Sequence, residues 1–361
     1  MTGTRALQFF LSPGRDFDFA VRMTVLRIIF MGAADLSCAS LEVLAHSAKF
    51  QIAAVITHPD HPKGRGLKPQ PSPVKSLALQ LGLPVFQPER ARDEKFIVEL
   101  RALQPDLIVV VAYGQILPPA ILDLPRLGCL NVHTSLLPKY RGAAPIQWAI
   151  ANGDIETGVT IMKMDEGLDT GDIVAQRYTP IRPEDDSVTL HDRLARLGAE
   201  LLVQTIPDYA AGKIQSVPQP AKGASYAPKI KKEDGRIDWN WPARTILNRL
   251  RAFTPWPGAF TFGLGIPLSG GNAIRTKEPP KGGTPSTPRP ILLKIWKVEI
   301  VERSGRPGEI LSADKNGIVV VCGENALRIL ELQREGGRRL NAGEFLAGYP
   351  LKAGANFAQA G

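Results

Sequence analysis

Asn131 and His133 stand two residues apart at the end of an apolar run, "GCLNVH", which stops at the turn-forming cluster "TSLLPKYRG". In an extended strand, residues i and i+2 project from one face, roughly 6.6 Å apart. Asparagine offers an amide donor to an oxygen that is gaining negative charge, and histidine moves a proton near neutral pH. Downstream, "MKMDEGLDTGDI" gathers Asp165, Glu166, Asp169 and Asp172 among glycines. A carboxylate from that loop could orient His133, and on chemistry alone Asp165 and Asp169 are equal candidates. Donor, proton carrier and carboxylate together suit attack on a carbonyl through a tetrahedral intermediate. Blander readings stand beside this one: N-x-H recurs by chance, and an acidic glycine-rich loop can be a solvated turn. A calcium loop would need ligands at regular alternate positions, which the segment does not supply. No serine or cysteine sits in a G-x-S-x-G elbow, so a covalent acyl-enzyme is not supported.

These residues need a scaffold, and the first half of the chain alternates strands with helices. "VLRIIFMG", "IAAVIT", "DLIVVVAYG", "GCLNVH" and "TGVTIMKM" read as strands. "LSCASLEVLAHS", "SPVKSLALQLG", "EKFIVELRALQ" and a segment within "AAPIQWAIANG" read as helices between them. Fully apolar strands separated by helices predict a doubly wound, mostly parallel α/β sheet covered on both faces. Ligands in such sheets bind beyond the C-terminal strand ends, where "NVHTS" lies. The first strand-to-helix turn, "FMGAADLS", lacks G-x-G-x-x-G, and no G-x-x-x-x-G-K-[ST] occurs, so dinucleotide and P-loop sites are disfavoured. A long helix, "VTLHDRLARLGAELLVQTIPDYAAG", closes this domain. "KIQSVPQPAKGASYAPKIKKEDG" is rich in Pro, Gly and Lys and reads as a linker. Beyond it lie a helix, "PARTILNRLRAF", and short strands that predict a small OB-like β-barrel. The expected division is 23–212, linker 213–235 and barrel 236–350, with a low-complexity insertion at about 265–290.

A chain of 361 residues exceeds what one core usually organises. No stretch approaches the roughly 18 apolar residues of a membrane span. "LQFFLSP" is short and closely followed by Asp16 and Asp18, which argues against a secretory signal. Residues 1–22 precede Met23 and the first strand, and read as a disordered extension or a misassigned start. Cys38, Cys129 and Cys322 have neither a disulfide nor a zinc spacing and are expected as buried small hydrophobes in a reducing cytoplasm. Charge divides unevenly: residues 1–212 carry 21 Lys+Arg against 23 Asp+Glu, a net of −2. Residues 213–361 carry 23 against 12, a net of +11. The back half suits a polyanion.

"LNVHTSLLPKYRGAAPIQWAI" with "TGVTIMKMDEGLDTGDI" resembles the formyltransferase family that uses 10-formyltetrahydrofolate. The match is closest to those members acting on methionine esterified to tRNA, and it runs from about Met23 through "HPDHPKGRGLKPQPSPVK", "VVVAYGQILP", "RIDWNWPA" and "RAFTPWPG". The resemblance implies a catalytic trio of Asn131, His133 and Asp169. It implies folate contacts at Ser135, Leu136, Leu137 and Pro138, with Tyr113, Gly114 and Leu117 around the pterin. It implies an initiator methionyl-tRNA partner met by Lys63, Arg65 and Lys68 in a flexible cationic loop, and by Lys229, Lys231 and Lys232 in the linker. A cytoplasmic monomer without a metal is expected. One departure is Gly32-Ala33-Ala34-Asp35-Leu36, where the family has Gly-Thr-Pro, an acidic residue and Phe. Competing readings are a sugar-nucleotide N-formyltransferase, a formyltetrahydrofolate hydrolase and a non-catalytic tRNA-binding protein.

Overall fold

The computed structural model describes residues 25–63, 68–263 and 291–357. The expected extension at 1–22, Arg65 and the insertion at about 265–290 lie outside these residues.

Alternating strands and helices form the first domain. In chain order these are β1 (Leu26–Gly32), α1 (Leu36–Ala45), β2 (Phe50–Ile56), β3 (His61–Lys63), β4 (Lys68–Gln70), α2 (Pro73–Gln80) and β5 (Val85–Phe86). They continue as α3 (Glu94–Ala102), β6 (Leu107–Val111), α4 (Pro119–Leu122), β7 (Cys129–His133), α5 (Pro145–Ala151), β8 (Glu156–Lys163), β9 (Ile173–Pro180) and α6 (Ser187–Ala210). The sheet order is β5-β2-β1-β6-β7-β8-β9. β5 to β7 are parallel, whereas β8 and β9 pair antiparallel at the far edge. Sequence reading omits the two edge strands, the two-residue β5 and β9, whose sequence "IVAQRYTP" mixes polar and apolar residues.

Period-2 geometry explains why central strands are apolar throughout. Ile28 and Phe30 of β1 join one hydrophobic cluster with Val109, Leu130 and Val132. Ile29 and Met31 join another with Ile108, Val110 and Cys129. Both faces are therefore buried, as parallel strands under helices require. Local signals also operate as the sequence dictates. At α2, the Ser72 hydroxyl accepts from the Lys75 N–H at 3.0 Å, Pro73 opens the first turn, and the chain reverses at Gly82 with φ +67°.

The second domain comprises α7 (Ala243–Phe253), β10 (Ala259–Gly263), β11 (Ile291–Val301), β12 (Ile310–Asp314), β13 (Gly317–Val321), β14 (Ala326–Arg334), β15 (Arg339–Asn341) and α8 (Ala342–Gly348). Its antiparallel path is β10-β11-β14-β13-β12, with β15 on β14. Asn356 bridges Glu309 beside β12, and Phe357 bridges Gly263 in β10. The tail thus contacts both ends of this sheet path, at β10 and beside β12. Trp239 lies fully buried in this core, stacked on Phe357 with centroids 5.6 Å apart.

Two features add to the sequence reading. "HPKGRGLKPQ" is not loop throughout: its flanks pair as an antiparallel hairpin, with His61 opposite Gln70 and Lys63 opposite Lys68. An isolated two-stranded ladder tolerates Pro62 and Pro69 because neither strand lies inside a larger sheet. The linker, which lacks hydrophobic periodicity, is nevertheless docked through its backbone. Ser225 and Ala227 exchange hydrogen bonds with Arg141, and Val217 pairs with Ile173 in both directions at 2.8 Å.

Candidate active site

The C-terminal ends of β1, β6 and β7 open onto a cleft of about 740 Å³, the size of a small-molecule site. Leu36 follows β1, Ala112 to Leu117 follow β6, and Asn131, His133 and Thr134 close β7. The loop Asp165–Asp169, the turn Arg141–Pro145 and the segment Tyr226–Lys229 add further walls. Leu36 belongs to the turn that departs from the family pattern, so that departure reaches the cleft itself.

The strand period brings Asn131 and His133 to one side, and both are largely buried. A buried polar group is costly unless partnered, and each has one. His133 Nε2 lies 2.9 Å from the Tyr140 carbonyl. A carbonyl only accepts, so Nε2 carries the proton and Nδ1 presents its lone pair. Nδ1 is 3.8 Å from Asp169 Oδ2. A proton arriving at Nδ1 would therefore place its positive charge facing a carboxylate already in place. Asn131 Nδ2 stands 3.5 Å from Asp169 Oδ1, and the Gly142 N–H donates to Asp169 Oδ2 at 2.8 Å. One carboxylate thus ties together β7, the acidic loop and the turn before α5.

Geometry separates the two aspartates that chemistry alone left equal. Asp165 accepts from the Gly167 N–H at 3.0 Å and from the Thr170 hydroxyl at 2.8 and 2.9 Å, so it shapes its own loop. Asp169 instead adopts a left-handed backbone, φ +53°, which turns its carboxylate towards His133. Such a conformation costs a non-glycine residue about 1–3 kcal/mol and persists only when its surroundings hold it. Gly142 meets a comparable demand, with φ +110° and a Cβ that would lie 2.8 Å from the Ala227 carbonyl oxygen. Gly142→Ala is expected to lower stability by about 1–3 kcal/mol and to depress turnover by moving its N–H off Asp169. Denaturant unfolding and initial rates measured together check both effects.

The other sequence-predicted residues divide clearly. Tyr113, Gly114 and Leu117 line the cleft, whereas Ser135, Leu136, Leu137 and Pro138 do not. Those four form a hydrogen-bonded turn directly after β7. The Ser135 hydroxyl donates to the Lys139 carbonyl, and Thr160 Oγ1 accepts from the Leu137 N–H while donating to the Ser135 carbonyl. These bonds fix the exit of β7. Tyr113 packs against His58 with ring centroids 5.4 Å apart, and burial pushes its hydroxyl up to about 12, keeping it a neutral phenol. Lys229 reaches the cleft rim, while Lys231 and Lys232 are exposed farther along the same segment. Lys63 and Lys68 sit opposite one another in the hairpin. Tyr140, Gly142 and Gln219 escaped the sequence reading because each acts through a backbone group or at long range. Burial pushes the thiols up, Cys129 and Cys322 to about 12 and Cys38, which is only partly buried rather than buried as expected, to about 11. Asp35, His191 and Asp192 bring ligand atoms together, but none of the three lines the cleft.

A family model described as "Formyl transferase" matches residues 23–206, and one described as "Formyl transferase, C-terminal domain" matches residues 229–350. The chain belongs to the formyl transferase family. Among curated relatives, the methionyl-tRNA formyltransferase of Citrifermentans bemidjiense is 49% identical over 92% of this formyl transferase and 96% of its own length. That of Trichlorobacter lovleyi is 48% identical over 92% of this chain and 97% of its own. Among solved structures, HypX from Aquifex aeolicus in complex with tetrahydrofolic acid aligns with a TM-score of 0.54 at 18% identity. That alignment covers 93% of this chain and 51% of HypX, and it establishes a shared fold. No helix among the described residues is long and apolar enough to cross a membrane.

Proposed function

We infer that this formyl transferase moves the formyl group of 10-formyltetrahydrofolate to the α-amine of methionine on initiator tRNA. The convergence of Asn131, His133 and Asp169 in one cleft carries this reading. The amine attacks the formyl carbon, and the carbonyl electrons move onto oxygen. Asn131 Nδ2 is the donor available to that oxyanion. His133 Nδ1 takes the proton released by the amine, with the positive charge facing Asp169. The carbon–nitrogen bond to the folate then breaks, and N10 receives one proton, so none is consumed overall. Tyr113, Gly114 and Leu117 form the wall assigned to the pterin.

The names of the curated relatives support methionyl-tRNA as the acceptor, and so does charge. The chain from residue 213 onward has a net of +11, and its lysine-bearing segment runs to the cleft rim at Lys229. A sugar nucleotide or water as acceptor leaves that arrangement unexplained. The cytoplasm, where initiator tRNA is charged, is the location this reading implies.

The test is formyl transfer to methionyl-initiator tRNA, beside an elongator methionyl-tRNA and a control without tRNA, at two salt concentrations. Transfer confined to the initiator is expected, with KM for tRNA rising steeply with salt and KM for folate changing much less. Formyl release without tRNA would overturn the reading in favour of hydrolysis.

A further inference from the structure

We propose that Gln219, in the segment between the two domains, is the positioning residue that holds Asp169 in its working geometry. The inference rests on the functional reading above. Gln219 Nε2 donates to the Asp169 carbonyl at 2.9 Å and to the Gly171 carbonyl at 2.7 Å. Its Oε1 accepts from Arg141 Nε at 3.1 Å and Arg141 Nη2 at 2.8 Å. One amide therefore spans two separate walls of the cleft, because both Asp169 and Arg141 line it. The shorter amide of an asparagine at this position would not reach both walls, and a charged carboxylate has no N–H for the two carbonyls.

Asp169 needs such a clamp. Its left-handed backbone is what aims the carboxylate, and the carbonyl of that same residue is one that Gln219 grips. Around this contact the segment is fastened on both sides. Ser216 Oγ donates to Asp172 Oδ2 at 3.1 Å, Val217 pairs with Ile173, and Ser225 Oγ accepts from the Tyr140 N–H at 2.9 Å. Tyr140 in turn supplies the carbonyl that sets the His133 tautomer. The interdomain segment thus fixes the backbone behind both His133 and Asp169 while contributing neither side chain of the trio.

Two variants and a double-mutant cycle test this. Gln219→Met removes all four hydrogen bonds at similar volume. Gln219→Glu keeps an oxygen for Arg141 and loses both donors to the acidic loop. Each is expected to lower kcat on the order of 10–10²-fold, the scale of a displaced reacting group, with both KM values and the unfolding midpoint little changed. In an Asp169→Asn background, followed by single-turnover transfer, either substitution should cause no further loss, because its effect runs through Asp169. Equal fractional losses in both backgrounds would overturn the inference. So would a loss confined to KM, or a Gln219→Glu variant as fast as the parent. A parent inactive with every tRNA would instead overturn the functional reading, and the positioning role with it.

Discussion

Replacing His133 with alanine should lower kcat by about 10²–10⁴-fold, with the folate dissociation constant changed only a few-fold. The expectation follows from the tautomer. The Tyr140 carbonyl claims the proton on Nε2, which leaves Nδ1 as the basic nitrogen facing the cleft and Asp169. No other histidine lines the cleft among the described residues, so a neighbour cannot take over the transfer. Glutamine in its place would still satisfy the Tyr140 carbonyl with an amide N–H, but it would supply no base. His133→Gln should therefore be nearly as slow as His133→Ala while unfolding closer to the parent temperature. Steady-state kinetics beside equilibrium folate binding decides the matter, and a kcat within a factor of ten of the parent would remove His133 from the proton path.

Asn131→Ala should cost on the order of 10²–10³-fold in kcat, the loss typical of one oxyanion donor. Asn131 is 9% exposed, so its amide acts where water competes poorly and where a hydrogen bond to developing charge counts most. A second consequence belongs to the same substitution. Its Nδ2 is one of the groups that meet Asp169, and removing it leaves that carboxylate with the Gly142 N–H and His133. Asn131→Asp should be slower still, because it places a second negative charge beside Asp169. Comparing kcat for these variants, with KM for both substrates, separates lost transition-state stabilisation from lost binding. A change confined to KM would reassign Asn131 to substrate holding.

Much of this arrangement is legible in the sequence, for identifiable reasons. The apolar runs of β1, β6 and β7 announce a sheet buried on both faces, and Asn131 and His133 follow from a two-residue period. Ser72, Pro73 and Gly82 mark the ends of α2 by local chemistry that needs no tertiary partner. Choosing Asp169 over Asp165 is different. Both are aspartates in one glycine-rich loop; residue chemistry leaves them equal, the family resemblance selects Asp169, and the backbone dihedral at Asp169 with the capping bonds at Asp165 gives the physical difference. The docking of 213–235 is likewise hidden, because it depends on main-chain pairing and on an amide reaching residues 48 and 50 positions away. Hydrophobic periodicity reports side chains that pack, and a segment held by its backbone has none to show.

α7 has a thermodynamic consequence. Its Ala243, Ile246 and Leu250 belong to the barrel core, whereas Ala252 and Phe253 belong to the core of the first domain. Phe253 meets Trp148 edge-on at 6.0 Å, Arg249 lies over the rings of Trp148, Trp241 and Phe253, and Arg251 donates to the Asp185 and Arg182 carbonyls. A single helix is thus a structural member of both halves, and neither core is complete when the other has melted. The two domains are therefore expected to unfold in one transition rather than two, which calorimetry checks. Rotating the barrel away would expose Phe253, at about 1.5–3 kcal/mol for that side chain alone. The spacing between the basic half and Asn131 is accordingly set by a covalent, buried ruler and not by the length of the exposed segment that precedes it.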